Sequence, residues 1–542
     1  MPKPFAITLD VGTSLANRTG SWRTMRPTYV DRLPPCNHAC PAGENIQGWL
    51  YRAEEGDYED AWRTLVKDNP MPAVHGRVCY HPCEDACNRG GLDEAVGIHA
   101  VERFLGDEAI KRGWTFETAP PTGKRVLVIG AGPSGLSAAY HLCRMGHAVT
   151  IHEAGPLAGG MMRFGIPAYR LPRDVLDAEI ARIVAAGVEI KLDSKVEDVP
   201  GLMAEGGFDA AFAAVGAHLA KRTDIPARDA SRIFDAVSLL KGMETDETPP
   251  QLGRRVVVYG GGNTAIDVAR TAKRLGAEEA LIVYRRTREQ MPAHDFEVDE
   301  ALEEGVVMRW LRTIKEIDET TFRVEKMEID ETGWPRPTGE FETIEADTLV
   351  LALGQDVDTS FMRSIPGVEI AKDGVVQVDA NMMTGYPGLF AGGDMVPSER
   401  TVTVAVGHGK KAARNIDAYL RGETYDPPPK PELATFERLN TWYYTDADKT
   451  VQPMLDVIRR QTTFEEVLGG LDESNALFEA RRCLSCGNCF ECDNCYGVCP
   501  DNAVIKLGPG QRFRFNYDFC KGCGLCAAEC PCGAIRMEPE TI

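Results

Sequence analysis

The sequence has no long apolar segment and no concentration of basic side chains. Its longest apolar runs, such as VLVIGAG and DAAFAAVGA, are far too short to cross a bilayer. Acidic side chains outnumber basic ones by 81 to 60, and there is no basic stripe suited to nucleic acid. The N-terminus also lacks the basic and then apolar pattern of a secretion signal. These absences predict a cytoplasmic protein with no membrane span and no nucleic-acid partner, although membrane attachment through a partner stays open.

The sequence also shows no pattern of nucleophilic or hydrolytic chemistry. Its ten histidines are scattered, with neither metal nor triad spacing. The net charge of −21 favours solubility over docking to a basic partner. What the sequence has in quantity is cysteine, seventeen residues in all. Without a secretion signal, these cysteines indicate metal ligation in a reducing compartment and not disulfides.

The last tenth of the chain contains the pattern C-x2-C-x2-C-x3-C-P twice, ending once at Pro500 and once at Pro531. In bacterial two-cluster ferredoxins, the fourth cysteine of each such run binds the cluster of the other run. Zinc is the less favoured alternative, because zinc sites usually use two C-x2-C pairs or mixed cysteine and histidine ligands. The pattern predicts two iron–sulfur clusters, one bound by Cys489, Cys492, Cys495 and Cys530, the other by Cys520, Cys523, Cys526 and Cys499.

Five further cysteines lie near the N-terminus, on either side of a predicted helical hairpin. The hairpin is indicated by apolar residues at helical spacing, at Trp49, Leu50, Ala53, Ala61, Trp62 and Leu65. It would bring the cysteines before it close to those after it, namely Cys36 and Cys40 to Cys79, Cys83 and Cys87. C-x3-C spacings in a cytoplasmic protein indicate metal or cluster ligation, and the local spacing alone does not say which.

The segment KRVLVIGAGPSGLSAAYHLCRMGHAVTIHEA carries a dinucleotide-binding fingerprint. A buried strand over 124–129 leads into G-x-G-x-x-G at Gly130, Gly132 and Gly135. An alanine-rich helix follows, and a second strand ends at Glu153. The glycines allow a tight turn and let the backbone approach a pyrophosphate at the helix N-terminus. Glu153 would accept hydrogen bonds from a ribose.

A second fingerprint lies in RRVVVYGGGNTAIDVARTAKRLGAEEALIVYRRT. A strand over 256–259 leads into G-x-G-x-x-A, where we expect the site residues Gly260, Gly262, Asn263, Thr264 and Ala265. The next strand, 280–284, ends in Arg285 and Arg286 instead of an acid. Because arginine can hold the 2′-phosphate of NADP where an acid would select NAD, this pair favours NADP. The alternative is a solvated surface pair.

The two dinucleotide domains, with the second inserted in the first, resemble the layout of two-dinucleotide flavoprotein reductases. The resemblance makes the first site an FAD site and the second an NAD(P)H site. Two further elements match these proteins: the block MMRFGIPAYRLP beside the flavin, with Arg170 and the preceding Gly160, and the GGD at 392–394. By this resemblance, the GGD run places Gly393 and Asp394 near the ribityl and pyrophosphate groups of the flavin. A helix is expected to start near Gly407.

Residues 33–430 and EARRCLSC at 479–486 resemble the small subunit of bacterial NADPH-dependent glutamate synthase, a module that dihydropyrimidine dehydrogenase also contains. The family has an N-terminal helical domain with two [4Fe–4S] clusters. This chain departs from the family pattern, because the opening C-x2-C pair is absent from 1–35 and occurs instead in the tail. The resemblance then implies two further ligand sets, one of Cys483, Cys486, Cys36 and Cys87, the other of Cys40, Cys79, Cys83 and Glu102.

We therefore expect FAD, NAD(P)H and four [4Fe–4S] clusters. Two of these assignments have alternatives. The Cys483 and Cys486 pair could reach a second subunit, and Glu102 could be a carboxylate on a helix surface. The remaining cysteines, Cys143 and Cys532, are expected to be packing residues.

The expected fold is α/β, with two Rossmann-like dinucleotide-binding domains for FAD and NAD(P)H, an N-terminal α-helical iron–sulfur domain and a C-terminal ferredoxin-like α+β domain. The expected boundaries are an N-terminal extension at 1–30, the helical iron–sulfur domain at 31–118, the FAD-binding domain at 119–245 and 346–425, the NAD(P)H-binding domain at 246–345, a linker with the C-x2-C pair at 426–488, and the ferredoxin domain at 489–542.

These parts predict an NAD(P)H:acceptor oxidoreductase that passes electrons between NAD(P)H, FAD and the clusters, to or from ferredoxin or a partner enzyme in a hetero-oligomeric complex. The tail resembles cluster-carrying subunits of 2-oxoacid oxidoreductases, which makes such an enzyme a candidate partner. Two alternatives stay open: a non-catalytic electron-transfer or assembly subunit with a vestigial nucleotide site, and the small subunit of a glutamate synthase. Pyrimidine reduction is not expected, because 426–488 is too short for the barrel that would hold a second flavin.

Overall fold

The computed structural model describes residues 19–221, 225, 232–245 and 249–540, so residues 1–18 of the expected N-terminal extension lie outside it. The first described strand is β1, Met25–Tyr29. The helical domain follows, with α1 to α6 at Pro35–Ala39, Ile46–Glu54, Tyr58–Leu65, Pro72–Val78, Pro82–Asp85 and Ile98–Arg112. Helices α2 and α3 form the predicted hairpin, and their apolar faces bury Trp49 and Trp62 completely. This core holds the two groups of cysteines on either side of the hairpin.

The first dinucleotide domain begins with strands β2 to β6, at Arg125–Ile129, Ala148–His152, Glu189–Lys191, Ala210–Ala213 and Leu219–Ala220. Its helices α7 to α10 are Pro133–Arg144, Met161–Phe164, Arg173–Ala185 and Val199–Gly206. Strand β2 pairs in parallel with both β3 and β5. The turn between β2 and α7 therefore opens at the carboxyl edge of the sheet, where the first fingerprint places it.

The second dinucleotide domain has a sheet of its own. Its parallel strands β7 to β10 are Ile233–Asp235, Arg255–Tyr259, Glu279–Tyr284 and Val307–Trp310, and its helices α11 to α13 are Ala236–Thr245, Asn263–Arg274 and Asp295–Glu303. Strands β11 to β13, Arg312–Ile317, Thr321–Ile329 and Pro335–Glu345, form a separate antiparallel sheet before β14, Thr348–Leu351. The parallel order is β10-β9-β8-β14-β7. Because β7 belongs to it, the second sheet begins before residue 246, where the sequence placed the domain boundary.

After β14 the chain returns to the first dinucleotide domain. Strand β15, Gln355–Asp356, pairs antiparallel with β6 in a separate two-stranded sheet, and β16, Leu389–Ala391, pairs in parallel with β5 of the first sheet. Helix α14, Val402–Leu420, follows. The helix start expected near Gly407 is therefore wrong, since Gly407 lies inside α14. A Cβ on Gly407 would lie 2.2 Å from the carbonyl oxygen of Pro41, so glycine here permits close packing of α14 on the helical domain.

The segment expected as a linker packs over the other domains. It contains α15 and α16, Val457–Thr462 and Glu473–Arg481. Within it, Lys449 pairs with Glu84 at 2.6 Å, and Arg460 pairs with Glu303 at 2.8 Å. The segment therefore contacts both the helical domain and the second dinucleotide domain.

The C-terminal module contains α17 and α18, Asn494–Val498 and Leu525–Ala528, with β17 to β19, Val504–Lys506, Phe513–Phe515 and Ile535–Pro539. Strand β19 pairs antiparallel with β1, so Met25 faces Pro539 and Tyr29 faces Ile535. The N-terminal strand thus completes a sheet of the C-terminal module. No helix in the described part of the chain is long and apolar enough to span a bilayer.

Candidate functional site

One cavity of about 650 Å³ joins the two dinucleotide fingerprints. Residues 260–264 of the second fingerprint line it on one side, and Pro133, Met161 and Asp394 of the first domain line it on the other. Arg170, one of the predicted site residues, also belongs to its wall. Two cofactors bound at the two fingerprints would therefore share one space, as direct transfer between them requires.

The glycine loop of the first fingerprint is packed so tightly on neighbouring backbone that Gly130 and Gly135 have no space for a Cβ. Gly130 has a φ of +102°, and a Cβ there would lie 2.5 Å from the carbonyl oxygen of Ala214. A Cβ on Gly135 would lie 1.9 Å from the carbonyl oxygen of Gly130. On the facing side, a Cβ on Gly160 would lie 2.8 Å from the Cα of Gly132. The residues present therefore fit FAD at this site.

Two acidic residues predicted for the first site lie at its edges. Glu153, just after β3, accepts hydrogen bonds at 2.8 Å from the backbone N–H groups of Ala131 and Gly155. Its carboxylate therefore fixes the backbone of the glycine loop. This contact is separate from the predicted hydrogen bonds to a ribose. Asp394 follows Gly393 in a short 3₁₀ turn on the cavity wall, and burial raises its pKa to about 6.

The glycine loop of the second fingerprint is equally tight. Gly260 has a φ of +154°, and a Cβ there would lie 2.2 Å from the carbonyl oxygen of Ala352. Helix α12 begins at Asn263, whose Oδ1 accepts a 3.1 Å hydrogen bond from the His294 N–H and whose Nδ2 donates a 2.6 Å bond to the Tyr80 hydroxyl. The loop fits a dinucleotide pyrophosphate. The other predicted residues at this helix start are Gly262, Thr264 and Ala265.

The three arginines predicted for these sites have different surroundings. Arg285 lines the cavity. The Arg286 guanidinium instead lies 5.0 Å from the ring centroid of Trp334. Arg170 lines the cavity, but its guanidinium pairs with Asp267 at 2.9 Å and also with a glutamate of α13. Arg285 is therefore the better placed of the predicted pair to meet a nucleotide phosphate, and Arg170 joins the two dinucleotide domains.

The structure brings together cysteines from the two ends of the chain. One small cavity is lined by Cys36, Cys87, Cys483 and Cys486. The buried Arg482, directly before the tail pair, forms an ion pair with Glu479 at 2.6 Å and donates a 3.1 Å hydrogen bond to the Ala95 carbonyl. The hydrogen bond to Ala95 anchors the tail pair on the helical domain. The four cysteines are the set that the family resemblance implies for one cluster.

A second group lies at the edge of the helical domain next to the cavity, since Val78 and Tyr80, on either side of Cys79, line that cavity. Burial raises the pKa of the Cys40, Cys79 and Cys83 thiols, and the Glu102 carboxylate raises each of them further. Glu102 is 6% exposed, so the alternative of a helix-surface carboxylate is wrong. Its Oε1 accepts a 2.8 Å hydrogen bond from Nδ2 of Asn69. A buried carboxylate beside three thiols fits a fourth cluster ligand.

The C-terminal module gathers the cysteines of each run with the fourth cysteine of the other. One small cavity is lined by Cys499, Cys520, Cys523 and Cys526. In the other group, burial raises the thiol pKa values and the neighbouring Cys530 raises each further, at Cys489, Cys492 and Cys495. Cys492 and Cys523 are exposed, so each group has one cysteine at the protein surface.

Several polar residues near these groups have no motif in the sequence. The Thr403 hydroxyl donates a 3.1 Å hydrogen bond to the Cys79 sulfur. His99 Nδ1 lies 2.6 Å from Glu84, with His81 beside them. Because the Lys449 ammonium already pairs with Glu84, a metal ion is disfavoured in this histidine group. The contacts of Thr403 with Cys79 and of Lys449 with Glu84 join segments far apart in the chain, so local spacing could not indicate them.

Family models match three parts of the chain. Residues 124–409 match the pyridine nucleotide-disulphide oxidoreductase model. Residues 30–114 match the model of the 4Fe-4S cluster domain II of dihydropyrimidine dehydrogenase. Residues 513–536 match a 4Fe-4S binding domain. The iron–sulfur matches fall at the two ends of the chain, on either side of the nucleotide-binding match.

Relatives resemble the chain over most of its length. The beta subunit of the NADP(+)-dependent formate dehydrogenase of Moorella thermoacetica is 37% identical over 503 residues, 83% of this chain and 70% of that protein. The beta subunit of the NADPH-Fe(3+) oxidoreductase of Geobacter sulfurreducens is 34% identical over 519 residues, 84% and 76% of the two chains. The small chain of the Escherichia coli NADPH glutamate synthase is 32% identical over 418 residues, 71% and 89%. The predicted resemblance to the glutamate synthase module is thereby confirmed.

Among solved structures, Mycobacterium tuberculosis FprA in complex with NADPH is 19% identical, covering 57% of this chain and 88% of that one, with a TM-score of 0.47. The matched domains define a class: FAD-dependent NAD(P)H oxidoreductases with iron–sulfur domains, as predicted. Within that class, the chain belongs to the pyridine nucleotide-disulphide oxidoreductase family.

Proposed function

We propose that this chain is the electron-transfer subunit of a larger oxidoreductase complex, with NADPH at the second fingerprint and four [4Fe–4S] clusters between the flavin site and the surface. Bound FAD supplies the exchange between two-electron hydride transfer and the one-electron transfers of iron–sulfur clusters. The observation that carries the proposal is the contact between Thr403 and Cys79. Thr403 lies in the first turn of α14, beside the cavity-lining Val402, so the Cys79 group adjoins the cavity wall.

The cysteine groups form a series that leads away from this cavity. After the Cys79 group comes the Cys36 group, and the Cys40 N–H joins the two with a 3.2 Å hydrogen bond to the Cys36 carbonyl. The two groups of the C-terminal module come last, with Cys492 and Cys523 exposed. Such a series suits a protein that exchanges electrons with a partner docked at the C-terminal module.

Disulfide reduction, the chemistry in the family's name, is not supported by the cysteines of this chain. Within 124–409 there is a single cysteine, Cys143. Its sulfur is buried in α7 and donates a 3.1 Å hydrogen bond to the Ala186 carbonyl. Because a redox-active disulfide needs two cysteines, the electrons must leave this domain by another route, and the Cys79 group offers one.

The partner is proposed to be a ferredoxin or the catalytic subunit of another oxidoreductase. Two relatives are named as beta subunits of enzymes that use NADP(+) or NADPH. The cavity-lining Arg285 supports the same choice of nucleotide, because a guanidinium can bind the 2′-phosphate of NADP.

Anaerobic mixing of the holoprotein with NADPH, and separately with NADH, tests this function. We expect NADPH to bleach the flavin faster than NADH does, and iron analysis to give about sixteen irons per chain, four for each cluster. No bleaching with either nucleotide would favour a vestigial nucleotide site. About eight irons would contradict the four-cluster assignment.

The glutamate synthase small subunit is a second candidate, since the match covers 89% of the small chain from Escherichia coli. In that case a large subunit would copurify with the chain from its source, and the pair would form glutamate from glutamine, 2-oxoglutarate and NADPH. The two four-cysteine runs of the C-terminal module argue for a different partner, since they offer an additional port for electrons.

A further inference from the structure

A tyrosine of the helical domain reaches into the second dinucleotide site. Tyr80 follows Cys79 directly after α4 and lines the shared cavity. Its hydroxyl accepts a 2.6 Å hydrogen bond from Nδ2 of Asn263. Its ring stacks on the His294 imidazole, with ring centroids 3.7 Å apart and an interplanar angle of 21°. One side chain of the iron–sulfur domain thus contacts two residues of the nucleotide domain.

These contacts hold the amide of Asn263 at both of its polar ends. Tyr80 receives the Nδ2 donor, and the backbone N–H of His294 donates to Oδ1 at 3.1 Å. Asn263 is the first residue of α12, directly after Gly262. In this fold the dinucleotide pyrophosphate binds at that helix start. An amide fixed there would present a single orientation to the incoming nucleotide.

We propose that Tyr80 is a positioning residue of the NAD(P)H site. Its hydroxyl orients the Asn263 amide, and its ring, backed by His294, forms part of the wall on which the nucleotide lies. The inference rests on the proposed function, because it requires that the second fingerprint bind NAD(P)H. It adds that the nucleotide site is incomplete without the helical iron–sulfur domain.

The surroundings of Tyr80 support a site built across domains. Arg170 of the first dinucleotide domain lines the same cavity and pairs with Asp267 of α12 at 2.9 Å. Val78, two residues before Tyr80, also lines the cavity. The second fingerprint is thus held in place by both neighbouring domains at the point where the nucleotide would enter.

The test compares the wild-type holoprotein with Tyr80→Phe, Asn263→Ala and the double variant. The dissociation constant of NADP+ is measured by titration calorimetry on the oxidised protein. Tyr443→Phe is the matched control, because its hydroxyl contacts Glu529 of the C-terminal module and not the cavity. We expect Tyr80→Phe to raise the dissociation constant about tenfold, the loss of roughly one hydrogen bond. The control should leave it unchanged.

Non-additivity separates positioning from a general disturbance. On the Asn263→Ala background, Tyr80→Phe should cause little further weakening, because both changes remove the same interaction. Iron content, flavin content and the rate of flavin bleaching at saturating NADPH should stay within about twofold of wild type. A positioning role for Tyr80 predicts this combination of a weaker affinity and an unchanged limiting rate.

Four results would overturn the proposal. An unchanged affinity in Tyr80→Phe, with tight binding in the wild type, would remove the role of Tyr80 and leave the proposed function intact. Additive effects in the double variant, or loss of iron along with affinity, would make the role of Tyr80 purely structural. A wild-type protein that binds neither NADP+ nor NAD+ would overturn the proposed function together with this inference.

Discussion

The backbone N–H of Gly487 donates a 2.6 Å hydrogen bond to the carbonyl of Cys532. Gly487 follows Cys486 of the group that joins the two chain ends, and Cys532 lies two residues after Cys530 of the C-terminal module. One hydrogen bond between peptide groups therefore links two cysteine groups. The half-buried Tyr444 contacts the same region, since its hydroxyl donates a 2.9 Å hydrogen bond to the carbonyl of Leu484, between Cys483 and Cys486.

Gly487→Ala should loosen this link. Gly487 has a φ of +75°, and a Cβ there would lie 2.4 Å from the Arg32 Cβ and 2.9 Å from the Ala434 Cβ. Gly422→Ala is the matched control, with a φ of +73° and open space around the position. Both variants place alanine at a positive φ, which costs about 1 kcal/mol of backbone strain, and only Gly487→Ala adds a steric clash. We expect a thermal unfolding midpoint several degrees lower than that of the control. Equal midpoints would contradict tight packing here.

Cys483→Ser should remove one cluster, because Cys483 lines the cavity with Cys36, Cys87 and Cys486. The expected loss is about four irons per chain. Flavin bleaching by NADPH should persist, while bleaching of the C-terminal clusters should slow. Cys143→Ser serves as the control and should keep all iron, because Cys143 packs against the Ala186 carbonyl. Full iron in Cys483→Ser would favour the alternative in which the pair reaches a second subunit.

Arg285→Ala should weaken the binding of NADPH but not that of NADH. Arg285 lines the cavity, whereas Arg286 lies over Trp334. Losing a charged hydrogen bond to the 2′-phosphate should raise KM for NADPH about ten- to hundredfold and leave KM for NADH within about twofold. Arg286→Ala should have the smaller effect. Steady-state kinetics with both nucleotides measure this, and an equal loss for NADPH and NADH would rule out a phosphate contact.

Thr403→Val should shift the potential of the cluster next to the flavin site. The buried Thr403 hydroxyl donates to the Cys79 sulfur at 3.1 Å, and hydrogen bonds to ligand sulfurs stabilise the more negative, reduced state. Without that donor, the potential should fall by roughly 20 to 60 mV. Thr403→Ser keeps the donor and is the control. A redox titration followed by electron paramagnetic resonance measures both variants, and identical potentials would show that the hydroxyl does not act on the cluster.

Cysteine spacing and glycine spacing predicted most of the site because their constraints are local. A tight turn before Gly135 needs its glycines within a few residues, and the mirrored cysteine runs need only short loops. The family resemblance predicted the long-range relationship, in which Cys483 and Cys36 belong to one ligand set. The structure places these two cysteines in one cavity, although nothing in the local spacing relates them.

Residues whose role comes from tertiary contact left no local signal. Tyr80 is an ordinary aromatic in the sequence, and only the fold brings it to Asn263. The sequence predicted a helix start near Gly407. The structure instead places Gly407 inside α14, where the absence of a side chain lets the helix pack closely against Pro41. The early start of the second sheet, at β7, depends on pairing with β14 more than a hundred residues later. Such features follow from packing between segments that the sequence separates.

The pairing of β1 with β19 sets an order of events during synthesis. Thr28 and its strand partner Arg536 are 508 residues apart. At about 5 to 20 residues per second, the ribosome needs roughly 25 to 100 s to make the partner strand after β1 has emerged. The sheet that β1 completes, and the cavity where Cys36 meets Cys483, can therefore form only after nearly the whole chain has been translated. Cluster insertion at that cavity would therefore have to wait until Cys483 has been synthesised.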